Sequence, residues 1–186
     1  MSRAALTTWV HRTGELLELV YEAQLASILE SQVLAMDETP IRAGRKKGKP
    51  GKMKTAYFWP VYGDRDEVAF PFAPTRAHHH VEAILGDFEG TLVSDGYDAC
   101  DRFEGKRQQV VHALCWAHAR RQFVKAEDVE PQRVETALEW IRALYEGERE
   151  IRERKLTGEA KLALRAKESK PRVAVRVSEH REHLDR

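Results

Sequence analysis

The chain has 186 residues, 42% apolar and 33% charged, and its 31 basic and 30 acidic side chains leave a formal net charge of +1. That length supports one good core with an appendage, and so even a balance excludes a surface that binds polyanions by bulk charge alone. Two cysteines exclude a disulfide framework and suit a reducing compartment, charges scattered through residues 1–30 argue against a signal peptide, and no apolar run is long enough to span a membrane, so a cytoplasmic protein without a membrane partner is expected.

Residues 3–31 carry Leu6, Trp9, Val10, Leu16, Leu17, Val20, Tyr21, Leu25, Ile28 and Leu29 at three- and four-residue steps, the spacing of an amphipathic helix, with Gly14 as a candidate break and no cap region before it. The run Val33-Leu34-Ala35-Met36 leads to Asp37 and then to Thr39-Pro40-Ile41, and reads as a first strand buried on both faces. Arg42 to Lys54 follows as a loop with seven basic residues and no acid. Thr55–Tyr62 and Val68–Phe72 read as the second and third strands, with Pro60 and Pro71 placing them near an edge or a bulge. Thr75 is a candidate cap for a helix reaching Leu85 and Gly86.

Thr91-Leu92-Val93-Ser94-Asp95 is the fourth strand, ending on an acid before Gly96. A short helix over 98–103, a fifth strand over Val110–Trp116 and a helix from Ala117 to about Glu127 complete the order β-β-β-α-β-α-β-α. Three consecutive strands predict an antiparallel meander and the later helix-linked strands predict parallel crossovers, which together make a mixed α/β sheet flanked by helices. Pro131 opens a long helix with an apolar stripe, and beyond Pro171 the pattern degrades, with Val173–Val177 alternating as a strand might and a polar end.

A carboxylate at the end of a buried strand has no packing role, because an unpaired charge away from water is costly and finds a partner or a metal. Asp37 and Asp95 both end strands, and strands one and four of such a sheet can lie side by side. Two convergent carboxylates are what Mg²⁺ or Mn²⁺ needs for phosphoryl transfer. The bland reading pairs Asp37 with a base such as Arg42 and makes Asp95 the start of a turn.

Three segments in order, Met36-Asp37-Glu38-Thr39-Pro40, Val93-Ser94-Asp95-Gly96-Tyr97 and Cys115-Trp116-Ala117-His118-Ala119-Arg120-Arg121-Gln122-Phe123, resemble the insertion-sequence 66 family of transposases over roughly residues 5–170. The resemblance implies an RNase H-like mixed five-stranded core over 32–127, with an N-terminal helical segment over 1–31 and a helical insertion over 128–170; the tail over 171–186 reads as irregular and departs from the family, where a long helix is expected to continue. It implies that Asp37 and Asp95 are catalytic and bind a divalent metal, and that the reaction is phosphodiester hydrolysis at transposon ends followed by attack of the freed 3′-hydroxyl on target DNA. Beside such a site, Lys46, Lys47 and Lys49 are expected to contact the DNA backbone, and His118, Arg120 and Arg121 are candidate phosphate contacts.

The chain departs from the family in lacking the downstream N-N-x-x-E-R motif that carries the third acid. Glu139, Glu146, Glu148 and Glu150 read as a solvated helix face rather than substitutes. A truncated transposase is therefore expected, and the competing expectation is an inactive remnant that binds DNA or forms a homo-oligomer through helices 3–31 and 131–155. His112, Cys115 and His118 have a zinc-like spacing, but a strand-to-helix boundary separates them. Cys115 reads as a small buried hydrophobe and His118 as a hydrogen-bonded helix residue. His78, His79 and His80 open a helix and are expected to be exposed.

Overall fold

The apolar strand segments do not stay whole: each breaks where the chain changes sheets, and two of the three breaks hold a proline. The computed structural model describes residues 2–45 and 52–173, and the chain divides into two compact units, Met1–Cys115 and Trp116–Arg186. In the first unit β1 (Val33–Met36), β4 (Val61–Tyr62), β5 (Val68–Ala69), β7 (Gly90–Ser94) and β8 (Val110–Leu114) form a mixed sheet in the order β5-β4-β1-β7-β8. β1 pairs antiparallel with β4 and parallel with β7, and β7 pairs parallel with β8. The five-stranded mixed sheet, the meander and the contact between the first strand and the one ending at Asp95 all match the expectation.

A second, three-stranded sheet, which the sequence reading does not anticipate, consists of β2 (Thr39–Arg45), β3 (Met53–Phe58) and β6 (Phe72–Ala73). Its strands come from the segments expected to be single. β1 stops at Met36 and β2 starts at Thr39 in the other sheet; β3 stops at Phe58 and β4 resumes at Val61; β5 stops at Ala69 and β6 resumes at Phe72. Pro60 and Pro71 lie in the last two gaps, where a residue without an N–H can sit outside both ladders. Pro71 still accepts from Trp59 N at 2.8 Å, which ties the two breaks together. The basic loop is likewise shorter than read, since β2 runs to Arg45 and β3 begins at Met53 across a bulge at Gly44.

α1 (Arg3–Leu29) runs unbroken through Gly14, and Ser2 caps it by accepting from Ala5 N at 3.2 Å, so a cap is present where none was expected. Its apolar stripe is helical as predicted, yet within this unit only Ile28 is buried and Leu25 and Leu29 pack on the core; Trp9 and Leu16 are 62% and 79% exposed. α2 (His79–Leu85) starts later than Thr75, whose hydroxyl bonds His80 Nε2 instead of capping. His78 and His79 are exposed, and Gly86 closes the helix at φ +52°. α3 (Asp98–Glu104) completes the cover. The core joins Ile28, Val81, Leu85 and Phe103 from the helices to Leu34, Met36, Val61 and Leu92 from the sheet, with Trp59 its largest fully buried side chain. β1 is not buried on both faces: Leu34 and Met36 point into this core, Ala35 is half-buried and Val33 is exposed.

The second unit holds α4 (Trp116–Lys125), α5 (Pro131–Glu153) and α6 (Gly158–Leu164), the last running into a π-helical turn at Arg165–Ser169. Pro131 sits at the first turn of α5 as read. The turn at 165–169 is held against α5 by a bidentate pair, Arg165 donating to both oxygens of Glu148 at 2.7 Å, beside the buried Gly147. The backbone is still helical at 171–173, where irregular chain was expected; residues 174–177 of the expected strand lie outside the described residues.

Candidate functional site

Asp37 stands one residue beyond β1 and Asp95 one residue beyond β7, and these two strands are hydrogen-bonded neighbours running the same way. The register sets Ala35 opposite Val93, so two residues further along both chains the two aspartates come level. Ligand-capable oxygens of Asp37, Glu38 and Asp95 lie within 4.8 Å of one another, Asp37 and Glu38 partly buried and Asp95 exposed. This is the group of metal-capable side chains that converges among the described residues.

Local geometry holds each acid. Asp37 N donates to Pro60 O at 3.4 Å, which keeps it against β4, and its Oδ1 accepts from Glu38 N at 2.8 Å. Asp95 Oδ1 accepts from Tyr97 N at 3.1 Å, an Asx turn that reverses the chain after β7. Gly96, at φ +89°, makes that reversal possible. Behind Asp95, Ser94 O accepts from Cys115 N at 2.8 Å and Ser94 Oγ accepts from Gly96 N at 3.2 Å.

Glu38 was part of the motif but not read as a site residue. Its carboxylate pairs with Arg76, which lies in the segment leading to α2. The Arg76 guanidinium also lies 4.0 Å above the Tyr97 ring, and Tyr97 Oη donates to Arg76 O at 2.8 Å. Arg76 is 38 residues from Glu38, so only the fold brings the pair together. Arg42, the candidate neutralising partner of Asp37, lies on β2 opposite Thr55.

His112 leaves the zinc-like set for other partners. Its Nδ1 is 2.6 Å from Asp101 Oδ1 and its Nε2 is 2.7 Å from Ser94 Oγ. Cys100 is buried; burial pushes its thiol above its ordinary pKa, the neighbouring Ser94 pulls less strongly the other way, and Asp95, Asp101 and Asp37 push it up. It stays a protonated thiol and a poor metal ligand or nucleophile. Cys115 is half-buried in the link to α4.

Lys46, Lys47 and Lys49 lie outside the described residues. Arg120 and Arg121 are both exposed on α4, with His118 half-buried beside them, all three in the second unit. Glu139, Glu146, Glu148 and Glu150 lie on α5 of that unit, where Glu148 is taken by Arg165 and Glu150 by Arg154 at 2.5 Å.

A family model described as the transposase IS66 family matches residues 1–186. The chain is 28% identical over 139 residues to the uncharacterized protein y4qI of Sinorhizobium fredii, an alignment covering 66% of this chain and 25% of that protein. It is 30% identical over 169 residues to the uncharacterized protein y4jD of the same organism, covering 82% of this chain and 32% of that one. The chain thus spans about a quarter to a third of the length of these relatives. No solved structure matches it.

Proposed function

The chain belongs to the IS66 family of transposases, and from that premise we propose that its first unit is the metal-dependent DNA-cleaving core, with Asp37 and Asp95 as the acids that hold Mg²⁺ or Mn²⁺. The observation that carries the proposal is the parallel pairing of β1 with β7, which brings two acids level at neighbouring strand ends. An RNase H-like reading of the sheet is supported by its order, β5-β4-β1-β7-β8, in which β4 alone runs against the others.

The donor set suits the ion. Three carboxylates offer hard oxygen ligands with no thiolate or imidazole among them, the preference of Mg²⁺ and Mn²⁺ rather than zinc. Such an ion, when bound, polarises a phosphodiester and lowers the pKa of an attacking oxygen. The protein's own contribution is to fix the acids: Tyr97 N–H orients Asp95, Glu38 N–H orients Asp37, and Arg76 balances the charge of Glu38 at the rim. The proposed reaction is hydrolysis at transposon ends followed by strand transfer to target DNA. Charge supplied by Lys46, Lys47 and Lys49 beside β2 and by Arg120 and Arg121 on α4 would neutralise backbone phosphates.

The family's third acid belongs to a motif this chain does not contain, and Glu38 is the carboxylate that the described residues bring to the other two. Its engagement by Arg76 favours a second reading, a remnant that binds DNA or dimerises without chemistry. Mn²⁺-dependent nicking of supercoiled plasmid separates the two. The cleaving core nicks DNA and loses this in Asp37→Asn and Asp95→Asn; a wild type that binds plasmid without nicking it leaves the remnant, and nicking that survives Asp95→Asn moves the site elsewhere.

A further inference from the structure

We infer that His112 is a positioning residue for Asp95, acting through Ser94, an inference that rests on the metal reading of Asp37 and Asp95. The chain of contacts is Asp101 Oδ1 to His112 Nδ1 at 2.6 Å, His112 Nε2 to Ser94 Oγ at 2.7 Å, and Gly96 N to Ser94 Oγ at 3.2 Å. A carboxylate can only accept, so Nδ1 carries the hydrogen and donates to Asp101; in the neutral tautomer that this bond selects, Nε2 is an acceptor and the Ser94 hydroxyl donates to it.

That commitment fixes the hydroxyl rotor. With its proton on His112, Ser94 Oγ turns a lone pair to the Gly96 N–H. Gly96 N–H is the backbone group that follows Asp95, and its capture sets the angle at which the Asp95 carboxylate leaves β7. Ser94 is 3% exposed and the His112 side chain 5%, so water does not compete for these bonds. The order carboxylate, imidazole, hydroxyl is also that of a nucleophilic serine, but this hydroxyl is buried and held by His112 and Gly96, and it reaches a substrate only through the residue beside it.

Two substitutions split the ring's roles. His112→Asn keeps a donor near the Nδ1 position for Asp101 and loses the acceptor for Ser94; His112→Gln keeps an acceptor near the Nε2 position and loses Asp101. Free Mn²⁺ followed by its EPR signal during titration reads the affinity, with far-UV circular dichroism confirming that each variant is folded. The expected result is that wild type binds and Asp95→Asn does not, that His112→Asn and Ser94→Ala bind about tenfold or more weakly, and that His112→Gln stays within about threefold of wild type. His112→Asn binding as tightly as wild type, or equal weakening in the Asn and Gln variants, overturns the inference while leaving the metal site standing. A wild type that takes up no Mn²⁺ overturns the metal reading and this inference with it. Should a His112 variant not fold, Ser94→Ala alone decides, and unchanged affinity there overturns the inference.

Discussion

Two strand-terminal aspartates and one left-handed glycine shape the candidate site. Gly96 combines φ +89° with a neighbour, Leu114 Cδ2, that would sit 3.2 Å from an added Cβ. Alanine there is strained by its backbone and tight against β8, so Gly96→Ala should cost about 1–2 kcal/mol and move Asp95. Thermal unfolding checks the first consequence and Mn²⁺ affinity the second; a variant as stable and as tight-binding as wild type contradicts both. The strand-end positions of Asp37 and Asp95 were legible in the sequence because each follows an apolar run. Glu38, Arg76 and the Asp101–His112–Ser94 chain were not. Their partners lie 38, 11 and 18 residues apart in sequence, and spacing alone offered His112 a false set with Cys115 and His118.

Among the elements, β1, β7, β8, α3 and α5 were readable from local pattern, since each is a continuous run with clear punctuation. The second sheet was hidden because Thr39–Ile41, Thr55–Tyr62 and Val68–Phe72 have strand-like composition throughout, and composition does not say which ladder a residue joins. Pro60 and Pro71 marked the breaks, though as missing donors rather than as changes of sheet. One consequence is a pair of antiparallel strands, β2 and β3, that starts two residues after Asp37 and flanks the lysine-rich residues 46–51. Lys54 stands exposed on β3. If this arm meets DNA through its charges, reversing Lys46, Lys47 and Lys49 to Glu should shrink the slope of log affinity against log salt by about 0.9 for each phosphate no longer neutralised. Equal slopes for the variant and the wild type would mean that these lysines do not touch the DNA backbone.

At the scale of the whole molecule, the first unit builds an acid-bearing sheet and the second a helical body tied by Glu148 and Arg165. The relatives are three to four times as long as the stretch matched here, so transposition by the complete protein is a proposal that reaches beyond this chain. The claim that belongs to the chain itself is narrower: Asp37 and Asp95, brought level by parallel strands, hold a divalent cation. Calorimetric titration of wild type, Asp37→Asn and Asp95→Asn with Mn²⁺ tests it without DNA and without turnover. The prediction is saturable binding by the wild type that either substitution abolishes or weakens by at least about tenfold. Absence of binding by the wild type, or binding that both substitutions leave intact, contradicts it.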